Sequence, residues 1–336
     1  MKTTSASSAT PENPPGGQTY SETAQLWARA ALLVSATIAA GTFLVAKGTT
    51  YRFSTLELGW FRINLSFLIM LPIFLTRQRG KPLPAARDLG RFALLGLMGV
   101  TVNQLFFLYG IHLAPAIDGA LFYAFTPALV LVAAKFWLKE RLTLAKSSGI
   151  GLALVGVILV LRARGLSLAG DYLHGDLMLL VAVAAWSGYT LMGKAVLRKF
   201  EPTSAIFWSF GFGALSILPF TPIVLLQMDW SRPGWEGWLG LLYLSGATSV
   251  VAFSLWYWAL QRLEAGQVAV FTNLQPAMTA VMAWWFLGEA PGWPVVYGGL
   301  LILLGVWLAQ KKPGRIPRQK VPSGTGTMSL EEAEPT

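Results

Sequence analysis

Apolar residues along this chain fall into long blocks, neither alternating with polar ones nor recurring as one helical stripe. The blocks lie at 26-47, 54-76, 91-112, 115-138, 142-161, 174-197, 202-227, 238-261, 265-287 and 293-310. An α-helix rises about 1.5 Å per residue, so blocks of this length match the roughly 30 Å hydrocarbon layer of a bilayer. A soluble domain does not bury so many uninterrupted apolar runs. The pattern therefore predicts an all-α membrane protein of ten transmembrane helices, with the lipid bilayer as its main partner.

Outside the blocks the chain is polar and short of core-forming residues. Residues 1–25 are rich in Ser, Thr, Pro and Gly and lack the basic start and apolar centre of a signal peptide, and 313–336 are equally turn-rich. Both ends read as disordered tails. The net charge of +10 raises the question of nucleic acid. The basic residues, however, sit in the short connections between blocks, where they act as orientation signals, so no nucleic-acid partner is expected. If the spans alternate sides, one face collects Arg77, Arg79, Lys81, Arg87, Arg91, Lys139, Arg141, Lys199, Lys311 and Lys312 among others, and the opposite face has only Lys47, Arg52, Arg162, Arg164 and Arg232. The positive-inside rule then places both termini in the cytoplasm, in a multi-pass protein of the cytoplasmic (inner) membrane.

The sequence repeats itself. A shift of 149 superposes Ala120 on Ala269, Phe122 on Phe271, Pro127 on Pro276, Glu140 on Glu289, Gly149 on Gly298 and Gly156 on Gly305, and a shift of 147 superposes Gly41 on Gly188, Lys47 on Lys194 and Pro72 on Pro219. The repeats are 26–161 and 174–310. Each holds five spans, an odd number, so the second enters the membrane from the other side and is inverted relative to the first. Inverted repeats give a molecule with two nearly equivalent shapes around a midplane site, which is the basis of alternating access.

The candidate chemistry is sparse. The chain has no cysteine and two histidines, so thiolate chemistry and disulfides are excluded. No cofactor or metal is expected, and the nucleophile-base pairs of a membrane enzyme are lacking. Pro127 and Pro276 occupy matched, near-central positions and each disturbs the carbonyl four residues back, those of Tyr123 and Thr272. Such a carbonyl either holds a substrate cation or ammonium, or belongs to a packed kink. Thr126, Asn273 and Gln275 lie beside these prolines, and Trp186, Ser187 and Tyr189 lie at the centre of the sixth span. Asn103 and Gln104 in the third span need hydrogen-bond partners, from a ligand or from a neighbouring helix. Most of the 14 tryptophans mark span ends. Trp186 is too deep for that belt, and it is read either as cavity lining or as core. Arg62, Lys47, Lys194 and His112 are the gating or charge candidates, with the two lysines expected to snorkel to the headgroups. The absence of a mid-span carboxylate argues against the usual proton relay.

The segments FWLKERLTLAKSSGIGLALVGVILV (136–160) and WWFLGEAPGWPVVYGGLLILLGVWLA (284–309) each carry a glutamate at a helix end followed by a glycine-bearing span. They resemble the repeated signature of EamA-type transporters in the drug/metabolite transporter superfamily. WFRINLSFL around Arg62 and WSGYTLMGKA (186–195) resemble that family's second and sixth helices. The overall pattern is most similar to bacterial amino-acid exporters of the YddG type. The resemblance implies export of small metabolites, amino acids first and drugs or other metabolites as alternatives. A midplane with one arginine favours a neutral or zwitterionic small-molecule substrate over a phosphorylated one. A channel, a receptor and a membrane enzyme are the competing classes, and the sequence is silent on oligomeric state.

Overall fold

The computed structural model describes residues 21–78, 83–138, 144–163, 171–197, 199–263, 271, 274–288 and 290–310. Among these residues every element is helical. The helices are α1 (Glu22–Thr49), α2 (Thr55–Gln78), α3 (Ala86–Leu113), α4 (Ala116–Ala124), α5 (Thr126–Leu138), α6 (Leu144–Ala163), α7 (Asp171–Val196), α8 (Pro202–Gln227), α9 (Gly234–Arg262), α10 (Leu274–Leu287) and α11 (Trp293–Gln310). Six of them, α1, α2, α3, α7, α8 and α9, are long and apolar enough to cross a membrane, and Ala116–Val130, Ser147–Leu159 and Trp293–Leu308 form shorter apolar helices. The protein is thus a multi-pass membrane protein.

Side-chain caps fix the starts of α1 and α2. Ser21 caps α1 through its Oγ, which accepts from the Ala24 amide at 3.3 Å, and Glu22 follows in the first turn. The helix therefore begins within the stretch expected to be tail. Ser54 and Glu57 form a reciprocal capping box at the start of α2. The expected fourth span, 115–138, is broken at Phe125 into α4 and α5. Pro127, in the first turn of α5, has no amide hydrogen to continue the ladder.

Besides the 3-10 turn Leu218–Phe220 inside α8, two segments depart from α geometry. Gly96–Val102 in α3 and Tyr243–Ala252 in α9 are π-helical, and both begin at matched places, since Gly96 superposes on Tyr243 at the shift of 147. Ser249 Oγ donates to the carbonyl of Leu244, five residues back, a reach that suits the wider turn.

Packing follows the internal repeat. On α6 and α11, a Cβ added to Gly156 would stand 2.5 Å from the Gly298 carbonyl oxygen, and one added to Gly305 would stand 2.5 Å from that of Gly149. Each of those four glycines has its repeat mate among the other three. The helices run antiparallel and their backbones touch, the close approach that small residues permit in membranes. Helices α2 and α8 show the same exchange. Trp60 donates to Thr221 Oγ at 3.0 Å, and the mates of these two residues, Phe207 and Phe74, stack with ring centroids 3.9 Å apart.

The ion pairs obey the same relation. Arg52, in the connection between α1 and α2, pairs with Glu236 at the start of α9; Lys199, after α7, pairs with Asp88 at the start of α3. Arg52 and Lys199 are 147 residues apart, and Asp88 and Glu236 are 148 apart. Asp88 also lies 3.4 Å from Arg91. The exposed Arg52–Glu236 pair contributes little to stability by itself. Its place opposite Lys199–Asp88 marks the two ends of the bundle.

Candidate functional site

Among the described residues, buried polar groups come from α1, α2, α3, α4, α5, α7, α8, α9 and α10. Arg62 on α2 is 3% exposed. Its Nε donates to Ser249 Oγ of α9 at 3.4 Å, and its guanidinium stands 5.9 Å from the centroid of the Phe107 ring on α3. The Phe107 ring packs edge-on against Tyr123 of α4 and Phe43 of α1, and Phe43 touches Tyr123 in turn. Three aromatic rings and one cation therefore share one interior region.

Asn103 lies one helical turn before Phe107 and joins three helices. Its Nδ2 donates to Tyr123 Oη at 2.6 Å and to the Ala182 carbonyl of α7 at 2.8 Å. Both bonds run to other helices. Gln104, the next residue, is 2% exposed, and neither its Oε1 nor its Nε2 has a hydrogen-bond partner. Arg62 Nη1, Thr126 Oγ1 and Ser245 Oγ are likewise buried without partners.

Ser187 on α7 donates to the Val183 carbonyl at 2.7 Å and reaches the Thr126 carbonyl at 3.5 Å. It ties α7 to the break between α4 and α5. In the other repeat Thr279 of α10 donates to the Ala40 carbonyl of α1 at 3.2 Å. Ala40 is the mate of Ser187. Gln275 and Pro276 are buried in the first turn of α10, whereas Thr272 and Asn273 lie outside the described residues.

Trp186 belongs to a second aromatic group. Its ring lies 5.3 Å from Tyr189 and 5.1 Å from Phe253 of α9, and Tyr189 meets Tyr257 edge-on at 6.1 Å. Tyr189 is fully buried over Gly99 of the α3 π segment, where a Cβ would come within 2.1 Å of the ring. The structure thus links Asn103 and Tyr123 through Phe107 to Arg62, joins Ser187 to Thr126, and sets Trp186 and Tyr189 in a separate aromatic cluster.

One charge candidate turns out differently from the expectation. Lys47 does not snorkel: it is 8% exposed, and its Nζ donates to the carbonyls of His112 at 3.1 Å and Ala114 at 2.8 Å. These belong to the end of α3, where the last carbonyls lack intrahelical donors, so the ammonium caps a neighbouring helix. The His112 ring lies 5.6 Å from Tyr51 and its Nδ1 is unpartnered. Lys194 is in the last turn of α7, and its side chain lies outside the described ones. The residues that sequence reasoning undervalued are Gln104, Ser245 and Ser249; the polar mid-block placement of Gln104 was a usable signal, whereas the serines were masked by the ordinary habit of bonding their own helix.

A recess of about 420 Å³, lined by Gly48, Thr49, Arg52, Glu236, Gly240 and Tyr243, opens between α1 and α9 at the Arg52–Glu236 end. Among the described residues no cluster of three or more His, Cys, Asp or Glu could hold a metal ion.

Comparison with known proteins places this arrangement. The profile of the EamA-like transporter family matches the chain twice, at residues 26–162 and 173–310. An uncharacterized transporter of Archaeoglobus fulgidus is 28% identical over 286 residues, 84% of this chain and 96% of that protein. A probable terminal-alkyne amino-acid exporter of Streptantibioticus cattleyicolor is 26% identical over 229 residues, 68% of this chain and 75% of that protein. A solved crystal structure superposes with a TM-score of 0.59 at 22% identity, covering 85% of this chain and 98% of the other, which establishes a shared fold.

Proposed function

Because the chain belongs to the EamA-like transporter family and is therefore a membrane transporter, we propose that it exports amino acids, aromatic or otherwise apolar, by alternating access between two inverted five-helix halves. The observation that carries the substrate reading is the make-up of the interior around Arg62. Of the described buried charges, Lys47, Asp88, Asp118 and Asp176 all lie within six residues of a helix end, and only Arg62 lies further in. Its guanidinium stands over Phe107, whose ring packs on Phe43 and Tyr123, and Asn103 bonds Tyr123 in turn. One cation among aromatic and neutral polar groups suits a zwitterion with an apolar body, and not a multiply charged phosphate ester. The amino-acid exporter among the relatives supports the same reading.

The mechanism rests on the repeat relation. Contacts that exchange between repeat mates, on antiparallel α6 and α11 and on α2 and α8, supply a molecule whose two ends are built alike. Opening one end while the other closes then needs no new kind of contact. Counterflow in proteoliposomes over amino acids, small drugs and nucleotide sugars tests the substrate class. Exchange of labelled amino acid against the same amino acid is expected; exchange of nucleotide sugars alone would overturn the reading.

Two further outcomes are expected. In the proposed orientation the α1–α2 connection faces outward and the α2–α3 connection faces the cytoplasm. Tyr51 is 59% exposed and Leu83 is 68% exposed. An impermeant maleimide should thus label Tyr51→Cys in intact cells and Leu83→Cys only after lysis. Trp186→Ala should weaken aromatic substrates by about tenfold at most, the equivalent of the 0.5 to 1.5 kcal/mol of an aromatic pair beyond its area burial. Alanine transport should change less. Equal effects on tryptophan and alanine counterflow would place Trp186 in the core and not at the substrate.

A further inference from the structure

Arg62 and Gln104 together leave three buried donor and acceptor atoms unmet. Arg62 uses Nε on Ser249 but leaves Nη1 without a partner, and Gln104 leaves both ends of its amide without one. Both side chains are more than nine-tenths buried. Gln104 precedes Phe107 by three positions, so it neighbours the ring above which the Arg62 guanidinium stands. Gly59 of α2, three residues before Arg62, lies against Leu105 and Leu108 of α3, where an added Cβ would meet Leu105 at 2.5 Å. This contact brings the Arg62 and Gln104 stretches of the two helices together.

Buried polar groups are hydrogen-bonded in the great majority of cases, because an unmet one forfeits its water without compensation. A guanidinium edge and an amide both unsatisfied in one interior therefore call for a ligand that enters and leaves. The neighbouring amide does not fill that need, since Asn103 is already engaged with Tyr123 and Ala182. The ligand chemistry that fits the two unmet donors is a carboxylate, one oxygen toward Arg62 Nη1 and one toward Gln104 Nε2, with charge assistance from the arginine; the Gln104 Oε1 acceptor takes a donor from elsewhere on the solute. The charge is also one-sided, because the repeat mates of Arg62 and Gln104 are Ser209 and Val251. A site built from one repeat only holds its ligand in a single orientation.

We propose that Arg62 and Gln104 together bind the α-carboxylate of the transported solute and so select carboxylate-bearing solutes over the corresponding amines. This rests on the amino-acid reading above for the identity of the solute, though not for the carboxylate itself.

The test uses the full chain in proteoliposomes, with phenylalanine, phenylalanine amide, phenethylamine and 3-phenylpropionate as competitors in counterflow and as ligands in thermal-shift binding. Wild-type protein is expected to prefer phenylalanine to its amide and to the amine. Arg62→Gln should lower phenylalanine affinity about 10- to 100-fold, the range for hydrogen bonds to charged groups, and leave the amine unaffected, so that the preference collapses. Gln104→Leu should erode the preference by a smaller factor, and Arg62→Lys should retain part of it. Where Arg62→Gln fails to fold, Gln104→Leu and Arg62→Lys decide the matter by the same ratio of phenylalanine to amide. A folded Arg62→Gln protein, or failing that a folded Gln104→Leu protein, that keeps the wild-type preference overturns the carboxylate site. If wild-type protein ignores phenylalanine but binds 3-phenylpropionate in an Arg62-dependent manner, the carboxylate site stands and the amino-acid reading falls. If it binds no carboxylate at all, both fall.

Discussion

Gly305→Ala is expected to lower the unfolding midpoint of the detergent-solubilised protein sharply, whereas Gly151→Ala should leave it unchanged or raise it slightly. The Cβ of an alanine at 305 would stand 2.5 Å from both the Ala153 amide nitrogen and the Gly149 carbonyl oxygen, and 2.9 Å from the Ala153 Cα. All three are backbone atoms, so no rotamer change relieves the clash and α6 and α11 must separate along their contact. Overpacking of this kind costs about 1–3 kcal/mol where side chains can adjust, and the upper end applies where they cannot. Gly156→Ala should behave alike, since its Cβ would meet the Gly298 carbonyl at 2.5 Å and the Ile302 amide nitrogen at 2.8 Å. At Gly151, on the same helix, nothing lies within 4 Å. The alanine there also gains about 1 kcal/mol of helix propensity at most. Equal midpoints for the two variants in a fluorescence melt would mean that the backbones do not approach as described.

Lys47→Met is the second change with a large expected effect. It keeps the length of the side chain and removes the ammonium that serves the His112 and Ala114 carbonyls. Hydrogen bonds to a charged group contribute about 1.5–3 kcal/mol, and two buried carbonyls are left without their donor. A loss of about 3 kcal/mol is expected, with faster hydrogen exchange confined to the end of α3 and the start of α4. Arg in place of Lys47 should recover part of it. Unchanged exchange near residues 110–116 would show that the lysine stands free.

How far these features were legible depends on whether they obey a period. The apolar blocks, the matched glycines and the matched prolines are fixed by spacing, and the family match in two segments, 26–162 and 173–310, agrees with the repeat read from the residues. The break at Phe125 was half legible: Pro127 announced a disturbance but not that the helix stops and restarts two residues earlier. Lys47 was misread because a lysine at a span end has two satisfying environments, headgroups or the carbonyls of a neighbouring helix, and local sequence does not distinguish them. The π segments were invisible for a different reason. A wider turn inserts a residue without advancing the helix, so the faces read at 3.6 residues per turn before Gly96 do not continue beyond Val102. Asn103 and Gln104 follow directly, which is why which amide would be spent on neighbouring helices and which would be left open did not follow from their position.

The seam between α6 and α11 bears on how the chain assembles. Each half contributes one glycine-faced helix to it, and in the described part the joint is made by backbone approach without an ion pair. In the proposed inverted arrangement such a joint lies in lipid, where small residues let helix backbones approach closely. Covalent linkage through the connection 164–170 raises the local concentration of one half around the other. A gene cut at that connection and expressed as two polypeptides has everything the seam requires.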